Sequence, residues 1–486
     1  MKHDVVVIGS GFGGLVCAYL LAQAGKRVLV LERQVQPGGC VQSYSRRGFA
    51  LDTGLHYVGG LGEGQRLHRI FSQLGLMSLP WQRLDADGFD RITIGQETFA
   101  FAEGYDRFVD VLSDRFPQQR DALHQYVAML QQVDDVAFGS NDAYQLFGTS
   151  AYDYLTSTFS DPLLINVLSG SALKMELRRE SLPLFTFAHG NSSFIQSSWR
   201  LKGDGNLIVR SLADDIRRFG GEIVCNAEVE ELIEQDGLIK AARCRNGEVY
   251  EGALFISDIH PALTFSLIRE SAVLKRIFRQ RIKMLENTYG MFTASLILKP
   301  HSLQYFNHNK FVYRQPDVWT FHEEGKVAGG VMISCRVPED GGDARQIDLL
   351  TPMPWEVCKQ WSDTCVGHRG EDYKQLKQQW ADACITQAET VIPGLRDMIE
   401  QQYTSTPLTY RDYTLTPDGS AYGARRDSSN LVMTMLSPCT PISNLLLTGQ
   451  NLMLHGLEGV SMTALLTCSE VLGIGTVLSL LRKNRP

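Results

Sequence analysis

The sequence predicts an α/β fold in which one parallel-sheet domain is assembled from three separated segments and a second, mixed α+β domain is inserted twice. Three observations predict it. The chain opens with a strand–helix–strand unit, the α/β style returns near residue 200 as a helix followed by short strands, and it returns again towards the end as a strand, a turn and a helix. Between these pieces the signal is mixed. The first domain is expected over 1–75, 200–261 and 431–486, and the second over 76–199 and 262–430.

The elements follow in order. "DVVVIG", residues 4–9, is a short, wholly apolar run of the kind that forms a buried parallel strand. "LVCAYLLAQAG" carries apolar residues at helical spacing and stops at Gly25. "KRVLVLER" is the next buried strand, and residues 65–75 read as a helix. "YDRFVDVLSDRF" and "RDALHQYVAMLQQV" are amphipathic helices, and "DYLTSTFSDPLLINVLSG" continues in that style. "GNLIVRSLADDIRRFGG" is a helix closed by glycine. Residues 222–258 read as four short strands, with hairpin turns at Asp236-Gly237 and Asn246-Gly247. "FTASLILKP" is a strand and "YKQLKQQWADACITQAETVI" a long helix. The chain closes on a strand, a glycine-bearing turn and an apolar helix.

Composition excludes several classes. With 486 residues, 44% hydrophobic, the chain can bury large cores, and its net charge of −7 lacks the basic footprint of a nucleic-acid binder. The start reads as a strand rather than a secretory leader, and no apolar run is long enough to span a bilayer. Ten scattered cysteines read as reduced thiols. Cys358, Cys365 and His368 match no zinc spacing, so no metal site is expected. These features predict a cytoplasmic protein.

Gly9-Ser10-Gly11-Phe12-Gly13-Gly14 holds the spacing Gly-x-Gly-x-x-Gly between a strand and a helix. Gly9 permits a tight turn, Gly11 a close approach to a pyrophosphate, and Gly14 close packing of helix on strand. The helix N-terminus offers free N–H groups to phosphate. Glu32 ends the second strand, where an acid can accept hydrogen bonds from ribose hydroxyls. A Rossmann-like dinucleotide site is therefore predicted. Lys202-Gly203-Asp204-Gly205 lacks the third glycine and a suitable strand, so a second nucleotide site is not indicated and the electron donor or acceptor is external.

Arg33 and the pair Gly38-Gly39 follow the acid directly. This resembles the Glu-Arg…Gly-Gly signature of the FAD-binding amine oxidase and phytoene desaturase superfamily. Three longer segments resemble its branch of retinol saturases, carotenoid isomerases and phytoene desaturase-like proteins: residues 37–60, "FISDIHP" at 255–261, and "LLLTGQNLMLHGLEGVSMTALLTC" at 445–468. The resemblance implies a GR2-type FAD domain with an inserted substrate domain, and FAD contacts at Gly9, Gly11, Phe12, Gly13, Gly14, Glu32, Arg33, Gly38, Gly39, Gly449, Gln450, Gly459 and Val460. It also implies a backbone contact to adenine at Val229, and places "TPDGSAYG", residues 416–423, on the substrate side of the flavin.

The family's chemistry implies an oxidoreductase acting on carbon–carbon double bonds of a lipophilic polyene or isoprenoid. Reduction is favoured; desaturation, redox-neutral cis–trans isomerisation and amine oxidation stay open, as does a flavin-free lipid carrier of the same fold. His56, His260 and His455 are the candidate proton donors. Phe185, Phe187, Phe194 and Trp199 are candidates for a substrate tunnel. A lipophilic substrate also implies a peripheral membrane contact on the inserted domain. "LDTGLHYVGG", residues 51–60, should run beside the flavin, with Asp52 and Gly54 turning the chain and Gly59 and Gly60 letting backbone approach a ring or substrate.

Overall fold

The computed structural model describes residues 3–136, 141–320 and 328–482. A five-stranded parallel layer runs in the order Glu222–Val224, Val28–Leu31, His3–Ile8, Val249–Ser257, Leu445–Leu447. Its opening run is apolar throughout because both faces are covered. Val5, Val7, Val28 and Val30 pack under the helix Phe12–Gln23. Val6, Ile8, Leu29 and Leu31 face the opposite core.

The strand Val249–Ser257 serves twice. Its last residues pair in parallel with Leu445–Leu447, while its start pairs antiparallel with Leu238–Cys244, which continues to Val229–Gln235. Asp236 (φ 55°) and Gly237 (φ 78°) form the two-residue turn between these last two strands. The helix Phe12–Gln23 packs on Gly456–Leu472 and Asn206–Arg218, so all three segments meet around it.

The second sheet has seven strands, in the order Ile399–Ser405, Gly290–Leu298, Gln346–Met353, Gly330–Cys335, Asn309–Tyr313, Asp90–Ile94, Glu97–Phe101. Among the described residues, only the Asn309–Tyr313 pairing with Asp90–Ile94 is parallel. On one face Phe292, Leu296 and Ile333 pack under Trp380, Cys384 and Ile385 of the helix Gly370–Ala388. Residues on the alternate face, such as Met291, Met332 and Leu350, look into the interior. Helices Tyr105–Arg115, Arg120–Asp135, Ala151–Thr158, Pro162–Ser169 and Leu184–Gln196 share a core of Phe108, Tyr126, Leu155 and Phe185.

A small sheet of Val58–Gly59, Ser198–Leu201 and Trp81–Arg83 ties the two parts together. The sequence boundary at 199/200 lies inside its central strand, because "SSWRL" carries no turn residue. The closing helix is also divided, by Gly473 at φ 80°, into Gly456–Leu472 and Ile474–Arg482. All ten cysteines are free. Among the described residues no helix is long and apolar enough to cross a membrane, and no cluster of metal-ligating side chains is found.

Candidate functional site

The glycine-rich turn is shaped by an acid that arrives from elsewhere in the chain. Asp258, at the end of the strand Val249–Ser257, places its carboxylate against the loop. A Cβ added at Gly11, Gly13 or Gly449 would lie 2.5, 2.7 or 2.4 Å from an Asp258 carboxylate oxygen. At Gly14 a Cβ would lie 2.5 Å from the Gly9 carbonyl oxygen, which is the close helix-to-strand approach the fingerprint demands. Gly9 and Gly449 both adopt φ 88°, which other residues rarely tolerate. The helix starts at Phe12 with no side-chain cap on Gly11; Phe12 and Gly13 line the cavity, while the Gly14 N–H is engaged by Asp258.

Around this turn the other predicted contacts converge. Glu32 is buried; it accepts hydrogen bonds from the Ser10 N–H (3.0 Å), the Ser10 hydroxyl (2.5 Å) and the Gln34 N–H (2.7 Å). A carboxylate accepts about four such bonds, so capacity for a ribose hydroxyl is left. The Gly38 N–H donates to the Ser10 carbonyl (3.0 Å), and a Cβ at Gly39 would stand 2.9 Å from the Gly11 Cα. Arg33 donates to the Asp412 carbonyl at 2.6 Å, pinning the helix Pro407–Thr414 to the nucleotide end. Phe12, Val229, Gln450, Gly459 and Val460 all line the same cavity.

That cavity measures about 600 Å³ and continues past the glycines into an apolar chamber. Its walls include Leu173, Met175, Phe194, Met291, Met332, Leu350 and Tyr422. Of the four aromatic residues expected in a tunnel, only Phe194 reaches it. Phe185 stacks on Phe147 and Phe187 on Trp319 in the core, and Trp199 sits in the small three-stranded sheet. Thr416, Ala421 and Tyr422 bring the 416–423 stretch to the wall.

The segment 51–60 divides its work. Asp52 is a structural hub: it accepts from Ser43 Oγ (2.6 Å), the Gly205 N–H (3.0 Å) and Arg336 (3.0 Å). A Cβ at Gly54 would lie 2.9 Å from the Cys40 carbonyl oxygen. Gly59 is required for another reason than the sequence suggested: its Cβ would lie 2.4 Å from the Ser193 backbone, so the close approach is to the helix Leu184–Gln196 rather than to a ligand. Leu55, His56 and Tyr57 then line the cavity.

All three candidate histidines border the cavity, but their bonding differs. His260 caps the helix Pro261–Ser266, with Nδ1 accepting from the Ala262 N–H (3.2 Å) and Nε2 facing Asn287 Oδ1 (2.9 Å). His455 donates from Nε2 to the Lys174 carbonyl (3.0 Å). Burial draws both down to about 4, so they are neutral at pH 7. Burial also lowers His56, although Asp348, 3.9 Å away across the cavity wall, opposes the shift. His56 is the one of the three whose ring is not fixed by a short hydrogen bond to backbone or amide among the described residues.

Comparison with known proteins agrees with this geometry. A family model described as an NAD(P)-binding Rossmann-like domain matches residues 7–74. The all-trans-retinol 13,14-reductase of Danio rerio is 26% identical, over 96% of this chain and 86% of its own length. The chloroplastic prolycopene isomerase of Daucus carota is 24% identical, over 87% of this chain and 72% of its own. The chain is a homologue of both. A redesigned putrescine oxidase superposes with a TM-score of 0.68 at 14% identity, covering 98% of this chain and 99% of the oxidase, so the fold is that of the amine oxidase-like flavoenzymes.

Within this homologue, four ionisable side chains at the site escaped sequence reasoning. Asp258 and Glu458 lie inside the two segments at 255–261 and 445–468, where an acid carries no spacing that marks it. Glu458 is 12% exposed on the first turn of Gly456–Leu472, 3.7 Å from Arg66 and 3.8 Å from His189. Burial pushes Glu458 and Asp258 each up to about 7. His189 and Lys174 lie in the inserted domain, where no motif marked them. Burial takes His189 to about 3 and Lys174 to about 8.

Proposed function

We propose that this protein is an FAD-dependent oxidoreductase acting on carbon–carbon double bonds of a lipophilic polyene, with reduction favoured over desaturation and isomerisation. The observation that carries the reading is the single cavity joining the glycine cradle to a chamber walled largely by apolar side chains. The names of the relatives, a retinol reductase and a prolycopene isomerase, point to the same substrate class.

The residues present fit FAD. Gly9–Gly14 with Gly38-Gly39 would hold the diphosphate, Glu32 the ribose, and the Val229 backbone the adenine. Gly449, Gln450, Gly459 and Val460 would bracket the flavin end. Bound there, FAD supplies two-electron redox chemistry. The protein's part is to orient the polyene between Phe194, Met291 and Met332 and to keep water out. It must also manage one proton. We assign that proton to His56, which lines the chamber beside Asp348, and give His260 and His455 positioning roles through the bonds they already make.

Amine oxidation shares the fold, but Lys174 places a cation in the chamber wall, which disfavours an ammonium substrate. Product mass tests the reading and its direction: a polyene incubated with the reduced holoenzyme should gain two hydrogens. With the oxidised holoenzyme instead, loss of two hydrogens would mean desaturation; an unchanged mass with altered geometry would mean isomerisation, and no product from any polyene with either form would remove the reading.

We also assign the membrane contact to the helix Arg276–Lys283. Lys275, Arg276 and Lys283 surround the exposed Ile277 and Met284, with Val273 beside them, on a chain of net charge −7. The nearby acids are Glu270, Glu286, which is paired with Arg425, Glu234, which accepts the Ala272 N–H, and Asp236, whose turn lies against Val273. Sedimentation with anionic liposomes, lost on Ile277→Glu, checks the assignment; full recovery in the supernatant contradicts it.

A further inference from the structure

We infer that Lys174 anchors a carboxylate at one end of the bound polyene. The inference rests on the polyene reading above and adds a polar terminus to the substrate class. Lys174 ends a short turn, Ala172–Lys174, in the inserted domain and faces the chamber. Its Nζ donates to the Tyr57 hydroxyl at 3.2 Å and lies 3.7 Å from the centre of the Phe194 ring. Among the described residues no carboxylate oxygen comes within 4.0 Å of it, the range within which the protein's ion pairs fall.

The nearest acid is already engaged. Asp90 is buried behind Tyr57, accepting the Tyr57 hydroxyl on Oδ2 (2.9 Å) and Asn309 Nδ2 on Oδ1 (2.9 Å), and Asn309 is in turn held by Arg200. An ammonium has three donors. Here one goes to Tyr57 and one side of the group rests on a π face, which leaves donor capacity for the chamber. The held geometry of Tyr57, Asp90 and Asn309 fixes where that charge sits. A ligand carboxylate would complete a charge-assisted pair in a site screened from water, where such a pair is strongest. A neutral terminus would leave the cation facing only an aromatic ring and a hydroxyl.

The test uses flavin-loaded protein and two probes, cis-parinaric acid and its methyl ester, which share a conjugated tail and differ in charge at the end. Equilibrium dialysis should show the acid bound at least about tenfold more tightly than the ester. Lys174→Met should reduce acid affinity to that of the ester and leave ester affinity and flavin content unchanged, while Lys174→Arg should keep most of the preference. Equal affinity for acid and ester in the unaltered protein overturns the anchor, and that comparison needs no variant to fold. A preference that survives in Lys174→Met also overturns it. Dialysis requires no turnover, so failure of the anchor is read separately from failure of the redox reading; binding of neither probe would overturn both.

Discussion

Gly13 and Gly449 come from opposite ends of the chain, yet a Cβ on Gly13 would stand 2.9 Å from the Gly449 Cα. Asp258 is wedged against both, its carboxylate within 2.4 to 2.7 Å of either added Cβ. The nucleotide cradle is therefore built from three segments at once, and none can form it alone. Gly13→Ala should lower the bound flavin per protein at least about tenfold and destabilise the fold by about 2 kcal/mol or more, since backbone must shift to admit the methyl. Flavin absorbance relative to protein, with a denaturation midpoint, checks both.

His56 and His260 should separate cleanly on substitution. His56→Ala is expected to keep its flavin and lose most turnover, about a hundredfold if it manages the proton. His260→Ala removes a helix cap and should instead cost about 1 kcal/mol of stability with a smaller effect on rate. Steady-state kinetics and thermal melting on the same preparations distinguish them. Full turnover in His56→Ala would end its catalytic role.

Asp52 should behave as a structural residue despite its place beside the cavity. Removing its carboxylate leaves Arg336, which is 18% exposed, with only the Ala50 and Gly203 carbonyls and no counter-charge, and frees the Ser43 hydroxyl and the Gly205 N–H. Asp52→Ala is expected to destabilise by about 3 kcal/mol, read as a lowered urea midpoint, with Asp52→Asn milder.

Glu458 carries a pH signature. Burial raises it from 4.5 to about 7 in the folded protein. The folded state therefore retains a proton that the unfolded state releases, so this contribution to stability is present below pH 4.5 and declines as pH rises to 7. Relative to Glu458→Gln, the flavin-free wild type should lose about 2–3 kcal/mol across that window. Urea titrations of both proteins across that window check it; a constant difference would contradict the burial assigned to Glu458.

Much of the nucleotide end was legible because its constraints are local. Gly9 to Gly14, Glu32 and Gly38-Gly39 lie on consecutive elements, and the apolar run ahead of them can only be a doubly covered strand. The hairpin at Asp236-Gly237 was equally readable, since positive φ restricts the residues that fit. The chamber was not. Lys174 and His189 are brought to the chamber, and Asp348 to His56, by sheet pairing and helix packing across long stretches of chain, and no spacing records it. Phe185 and Phe187 misled for a related reason: helix periodicity says a residue is buried, but not whether it faces a core or a cavity.

The central claim is that a flavin in this cradle exchanges electrons with a conjugated polyene in the adjoining chamber. Anaerobic reduction of the purified holoenzyme, followed by rapid mixing with a carotenoid or retinoid, tests it most directly. The flavin spectrum should return to the oxidised form much faster than in buffer alone. No reoxidation by any polyene, together with reduction of the oxidised enzyme by simple amines and peroxide release in air, would contradict it.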